Sequence, residues 1–178
     1  MEPIRQDMVD GRLRLTAVGE GLSTSVHTHL RGADSPQAVV QALTSLFPDI
    51  ILETMEPEPV FGKAIDSQWQ HNDVSMATFL QRLHDQRILD TALDAMSINL
   101  DGKRTSFRIS RLAACAGKIS FPIPGETPLG GVITVALEGE GLEDWLHAAT
   151  WHAGRSQVPR TINDERSMGA DGEAQTWI

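Results

Sequence analysis

Apolar and polar residues alternate with period two over residues 12–18 and again over 25–30, the signature of strands with one buried side. In the second segment Val26, Thr28 and Leu30 share one side, and His27 and His29 share the other. Gly19-Glu20-Gly21 lies between the two segments and predicts a hairpin. The period then changes. Val39, Leu43, Leu46 and Phe47 recur at helical spacing behind Ser35, which can cap the free amides of a first turn, and Pro36, which suits the first helical position. Pro48 stops this helix. An apolar strand is predicted over 50–55, interrupted by Pro57-Glu58-Pro59, with a second extended piece over 60–65 and a polar loop over 66–74.

A helical region follows over 75–96, with the stripe Met76, Leu80, Leu83, then Ile88, Ala92, Met96. The stripe slips between Leu83 and Ile88, which predicts a bend or two helices. Asp101-Gly102 is a tight-turn dipeptide and joins 98–100 to a strand over 105–109. Arg104, Ser106, Arg108 and Ser110 take one side of that strand, and Phe107 and Ile109 the other. One helical turn over 112–116 precedes a strand over 118–123, with Ile119, Phe121 and Ile123 inward and Lys118 and Ser120 outward. A strand over 131–137 and a helix carrying Leu142, Trp145, Leu146 and Ala149 complete the pattern. The expected fold class is α+β: an antiparallel-leaning sheet with helices on one face. Residues 1–24 read as an N-terminal extension able to add a strand, 25–153 as the α+β domain, and 154–178 as a polar, mobile tail.

Composition narrows the class. The 178 residues are 40% apolar and 22% charged, which is enough for one domain with a full core. A single cysteine, Cys115, excludes a disulfide framework and a multi-thiolate zinc site. No charged-then-apolar leader is visible, and no apolar run approaches the roughly 20 residues of a membrane span. The expectation is a soluble cytoplasmic protein.

Charge points to one place. The net charge is −9, and residues 24–153 hold 9 basic against 16 acidic side chains, so the surface as a whole repels polyanions. Residues 102–125 nevertheless carry Lys103, Arg104, Arg108, Arg111 and Lys118 without an acid. That window is either an ordinary solvated strand face or a place where a nucleic-acid backbone is held. Arg87 is either a phosphate contact or the ion-pair partner of Asp90. His27 and His29 can present two imidazoles to a metal, but no third ligand is evident, and a solvated pair is the simpler reading. Cys115 among alanines reads as a small buried side chain. No nucleophile elbow, zinc-hydrolase motif, dinucleotide fingerprint or phosphate loop is present. There is no tyrosine, and Trp69 is the one aromatic without an obvious core role, so any RNA recognition would use backbone and shape over base stacking.

Three blocks in order resemble an archaeal group of small proteins, uncharacterised protein family 0201. They are the strand and helix ending Leu46-Phe47-Pro48-Asp49; the run Gln86-Arg87-Ile88-Leu89-Asp90; and Phe107 through Ala113-Ala114, Gly117 and Phe121 to Pro128-Leu129-Gly130, ending in Trp145-Leu146. Together they cover about residues 25–150. The resemblance implies a fold like the L-five-type large-subunit ribosomal protein, RNA binding and no known catalytic activity. It also hints at a P-loop nucleotide-kinase-like partner, because some members look fused to such a domain. Where the family has Asn-Lys-Gln-Ala-Ala, this chain has Ser110-Arg111-Leu112-Ala113-Ala114: the charge is kept and two amides are lost.

The expected function is therefore a non-enzymatic module, without cofactor or metal, that binds structured RNA through a basic strand face. Arg104, Arg108, Arg111 and Lys118 would meet phosphates, with Arg87 an outlying contact. The competing expectation is a protein-interaction or regulatory module for a P-loop nucleotide-kinase-like partner.

Overall fold

The structure, a computed structural model, describes residues 8–9 and 12–163. In chain order the elements are β1 (Met8–Val9), β2 (Arg12–Leu13), β3 (Leu22–Gly32), α1 (Pro36–Leu46), β4 (Ile65–Asn72), α2 (Ala77–Asp85), α3 (Leu89–Ser97), β5 (Arg104–Ser110), α4 (Arg111–Cys115), β6 (Val132–Gly139) and α5 (Leu142–Ala149), followed by a 3₁₀ turn, Ala153–Ser156. Four strands form one antiparallel sheet in the order β4-β3-β6-β5, and the small β1-β2 pair stands apart. The fold is α+β.

Burial alternates along the strands and decides which way the sheet faces. Val26 and Leu30 of β3, Ile133, Val135 and Leu137 of β6, and Phe107 and Ile109 of β5 are buried on one side with the helices. A single core joins them to Leu43 and Leu46 of α1, Phe79 and Leu83 of α2, Leu93 and Met96 of α3, and Leu146 of α5. Phe47, Phe79, Phe107 and Phe121 meet in sequence across it, with ring centroids 5.9, 5.7 and 6.3 Å apart, the first pair stacked, the second tilted and the third edge-to-face. Each buried side chain of this size contributes roughly 1.5–3 kcal/mol by leaving water. Among the described residues no helix lies on the sheet's other side.

Helix α1 follows its sequence closely: Ser35 Oγ accepts from the Ala38 amide at 3.3 Å, Pro36 opens the helix, and Phe47 ends it. The slipped stripe is two helices, α2 and α3, separated at Arg87, which adopts φ +57°. Asp101 and Arg104 exchange backbone hydrogen bonds of 2.8 and 3.1 Å around Gly102 (φ +57°), so the tight turn forms, although 98–100 do not become a strand.

Other expectations fail for physical reasons. The strand over 12–18 shortens to Arg12–Leu13 and pairs with β1; the hairpin with β3 does not form, because β4 and β6 occupy both of its edges. Instead Glu20 turns back to accept from the amides of Thr16 and Ala17 and from Trp145 Nε1, at 2.8–2.9 Å, fixing this segment to α5. The apolar stretch 50–64 is irregular, with Ile51, Met55, Val60 and Phe61 exposed. The polar stretch read as a loop is strand β4, whose backbone pairs with β3 from Ser25↔Asn72 to Gly32↔Ile65. Residues 118–123 are extended but not a strand: Ser120 accepts one bond from the Ser110 amide, and the Gln86 side chain takes both the amide and the carbonyl of Ile119 (2.7 and 3.0 Å).

Residues 154–163 were expected in a mobile tail and instead lie on the body. Arg155 is buried and donates to Asp90 (2.7 Å) and to both oxygens of Thr150, Arg160 pairs with Asp94, and Ile162 packs against the core. Periodicity missed this because polar anchors leave no apolar stripe. Residues 164–178 of the same expectation lie outside the described residues. Among the described residues no helix is long and apolar enough to cross a membrane.

Candidate functional site

The basic window divides into three environments. Arg104 and Arg108 stand on the uncovered side of β5, as the alternation predicts. Arg104 is exposed and pairs with Glu138 of the neighbouring strand at 2.8 Å. Arg108 donates to the carbonyls of Glu126 and Ile123, at 2.8 and 3.2 Å, and holds the 121–130 loop against the end of the sheet.

Arg111 corrects the phosphate-contact expectation. It is the first residue of α4, capped by the Ser110 hydroxyl, and its side chain is 5% exposed. Its guanidinium donates to Asp34 (2.6 Å), to the His29 carbonyl (3.1 Å), to Thr28 Oγ1 (3.3 Å) and to the Gly130 carbonyl. A Cβ on Gly131 would stand 2.5 Å from its Nη2, and Gly131 has φ +77°, so the glycine pair after Leu129 is the room this guanidinium needs. A cation so enclosed is a structural clamp between β3, the α1 approach and β6, and it is closed to a large anion.

Lys118 and Arg87 form the third environment, away from the sheet. Both are exposed, and among the described residues neither makes an ion pair. The Gln86–Ile119 bonds bring their two segments together, since each cation is one residue from that bridge. Lys118 is not on a strand face, and Arg87 does not pair with Asp90. Asp90 belongs to Arg155 and His152 (2.7 and 3.0 Å). Burial alone raises the Asp90 carboxyl, but the hydrogen bonds and charges of Arg155 and His152 outweigh it and hold it below the ordinary carboxylate value. A pocket of about 370 Å³ opens here, lined by His84, Arg87, Ile88, Asp90, Thr91 and His152 among others.

The larger surface is the uncovered side of the sheet. Register places its side chains in rows: Asn72, Ser25, Ala136 and Ser106 in one, and Gln70, His27, Thr134 and Arg108 in the next. Amides, hydroxyls, imidazoles and guanidinia thus stand about 5 Å apart across four strands. His29 lies on this side, bonded to Asp66 and accepting from Arg31 Nε at 3.0 Å, so it is committed within the sheet and does not present a free imidazole beside His27. Trp69 points the other way and packs against the core. The sequence points to Arg104, Arg108 and His27 but not to Gln68, Gln70 and Asn72, because the polar composition of β4 reads as a loop. Cys115 is half-buried, its Sγ 3.4 Å from the Ala38 carbonyl.

Comparison with known proteins extends this picture. No family model matches the chain. A UPF0201 protein of Sulfurisphaera tokodaii is 30% identical over 128 residues, which are 70% of this chain and 86% of that one. A UPF0200/UPF0201 protein of Archaeoglobus fulgidus is 26% identical over 107 residues, 60% of this chain, and this chain spans 30% of that longer relative. Among solved structures, the UPF0201 protein from Methanococcus jannaschii superposes with a TM-score of 0.60 at 19% identity, covering 74% of this chain and 96% of that one. A second UPF0201 crystal structure gives 0.56 at 21% identity, covering 72% and 94%. The structures speak for the fold, and the Sulfurisphaera relative for descent: the chain belongs to the UPF0201 family.

Proposed function

We propose that this protein is a non-catalytic binding module whose ligand surface is the uncovered side of the sheet, and that the ligand is the backbone of structured RNA. The observation that carries the reading is the makeup of that side. Its central rows offer Gln70, His27, Thr134, Arg108, Asn72, Ser25 and Ser106, with only Ala136 and Val132 apolar between them. A protein partner with an apolar centre has little to bury there. A sugar-phosphate backbone, rich in acceptors and 2′-hydroxyls, matches it group for group. The binding is carried by hydrogen bonds more than by charge. Arg111 is enclosed and Arg104 already faces Glu138, leaving Arg108 and Arg31 as the cations on this side.

That division sets a measurable expectation. Affinity for a folded RNA, read by fluorescence anisotropy across a salt series, should follow a shallow log K against log salt line, with a slope of about 1–2, one unit or slightly less per phosphate contact. His27→Ala with Gln70→Ala should weaken binding at least tenfold without changing that slope, whereas Arg108→Gln should flatten it. Wild-type affinity in the His27/Gln70 variant, or no binding at 50 mM salt, sinks the reading.

A second reading has its own support. The Archaeoglobus relative joins a UPF0201 part to a UPF0200 part, and a fused arrangement suits two chains that act together. Leu112, Ile123 and Leu129 are exposed around α4 and the 121–130 loop, which is apolar area a protein partner would cover. Under this reading a complex captured from lysate survives ribonuclease and is lost on Leu112→Asp with Leu129→Asp. The RNA reading expects the reverse on both counts.

A further inference from the structure

Strand β4 is an edge of the sheet, and among the described residues no strand pairs with its outer side. Its inner side pairs with β3 through all eight residues, in unbroken register and without a bulge. On its outer side none of the backbone N–H and C=O groups of residues 65–72 finds a partner among the described residues. The opposite edge of the sheet is treated differently. There the Ser110 amide bonds the Ser120 carbonyl, and Arg108 pins the 121–130 loop beside β5. Long open edges are usually guarded by lysine, proline, a bulge or inward charge. The sequence of β4, Ile-Asp-Ser-Gln-Trp-Gln-His-Asn, has no lysine or proline, and its one carboxylate, Asp66, is already bonded to His29.

We infer that β4 pairs with the β4 strand of a second copy of this chain, joining two four-stranded sheets into one of eight strands. The proposal stands apart from the choice of ligand. A two-fold axis that pairs identical edge strands antiparallel must run perpendicular to the sheet, so facing residues share a side and their numbers sum to an even value. Centred on Trp69, this sets Asp66 opposite Asn72 of the copy, Gln68 opposite Gln70, Ser67 opposite His71, and Trp69 opposite itself. No like charges meet. A carboxylate faces an amide that can donate to it, two amide pairs face each other, and two half-buried indoles share the axis. A second copy fits because the strip carries a single carboxylate on an acidic chain, so two chains of net charge −9 can meet there without like charges facing each other. The same symmetry places both uncovered sides on one side of the assembly, as a continuous surface of twice the width.

The test is the mass of the intact protein in solution, measured without RNA by sedimentation velocity from 1 to 100 μM. A dimer is expected, and added salt should strengthen it by screening the net repulsion. Gln68→Lys with Gln70→Lys sets lysine against lysine across the axis and should weaken the dimer at least tenfold. Gln68→Glu with Gln70→Lys sets opposite charges in the same places and should restore it. Both positions are exposed, and an unchanged melting temperature shows that the fold is kept. A second measurement avoids that dependence: in a Cys115→Ala background, Gln68→Cys with Gln70→Cys should crosslink two chains on mild oxidation. A wild-type monomer at 100 μM, equal dimers in both charge variants, loss of the dimer in both, or absence of the crosslink would each overturn the inference.

Discussion

Arg111 shows how a cation changes meaning when its surroundings are seen. In the sequence it is one of five basic residues in an acid-free window; in the fold it ties Asp34, which precedes α1, to the Gly130-Gly131 turn before β6. Removing it leaves the Asp34 carboxylate with the Arg31 amide but no cation, and takes a donor from the His29 and Gly130 carbonyls, so Arg111→Ala should cost about 3–5 kcal/mol. Arg111→Lys should recover little, because an ammonium cannot reach four acceptors in one plane. Chemical denaturation of both variants checks this. His71 gives a second expectation at this scale. Burial holds its imidazole below the ordinary 6.5, and its Nε2 is enclosed without a hydrogen-bond partner among the described residues. The unfolded chain therefore takes up a proton on His71 before the folded one does. Stability should fall as pH drops from about 7 through 6.5 toward the lowered value, and His71→Phe should remove that part of the slope. A melting series at closely spaced pH values, wild type against variant, reads it directly.

At the level of elements, legibility followed the apolar pattern. Helix α1 could be read because its stripe, cap and stop coincide, and the break near Arg87 because a helix cannot carry a five-residue step on one face. Strand β4 could not be read. An edge strand with one uncovered side needs few apolar residues, and only Ile65 and Trp69 pack against the core. The opposite error arose at 50–64, where apolar residues without pairing partners stay irregular. The segment after α5 is held by ions where apolar burial would be expected, so its docking was hidden from a hydrophobic reading. Truncation after Ala153 removes Arg155 from Asp90 and Thr150, Arg160 from Asp94, and Ile162 from the core. The loss should be about 2–4 kcal/mol, or several degrees of melting temperature. An unchanged melting curve would mean that these ion pairs are worth no more than ordinary surface pairs.

For the whole molecule, the fold class and the one-sided sheet were legible because they depend on alternation within single strands. The candidate surface was legible by half. Strand parity put Arg104 and Arg108 on the uncovered side, but it could not tell that Arg111, one residue past the strand, turns inward toward an aspartate 77 positions earlier in the chain. Nor could it show that Arg104 faces Glu138 across β6. Net charge was the better guide: in a molecule at −9, Arg104, Arg111, Arg155 and Arg160 are each held by an acid of the same chain.

The pairing of β3 with β6 also has a consequence in time. Leu22 faces Gly139, so the central strand of the sheet is made early and must wait for more than 100 further residues before its second neighbour exists. During synthesis β3 and β4 can already pair, but one flank of β3 stays open while α2, α3 and β5 emerge. Closing so long a loop is slow compared with local helix formation. β5 has no sheet partner until β6 inserts between it and β3, so the sheet completes in one late step. A ribosome-bound chain ending before Val132 should therefore be protease-sensitive throughout its second half, and become resistant only once β6 and α5 have cleared the exit tunnel.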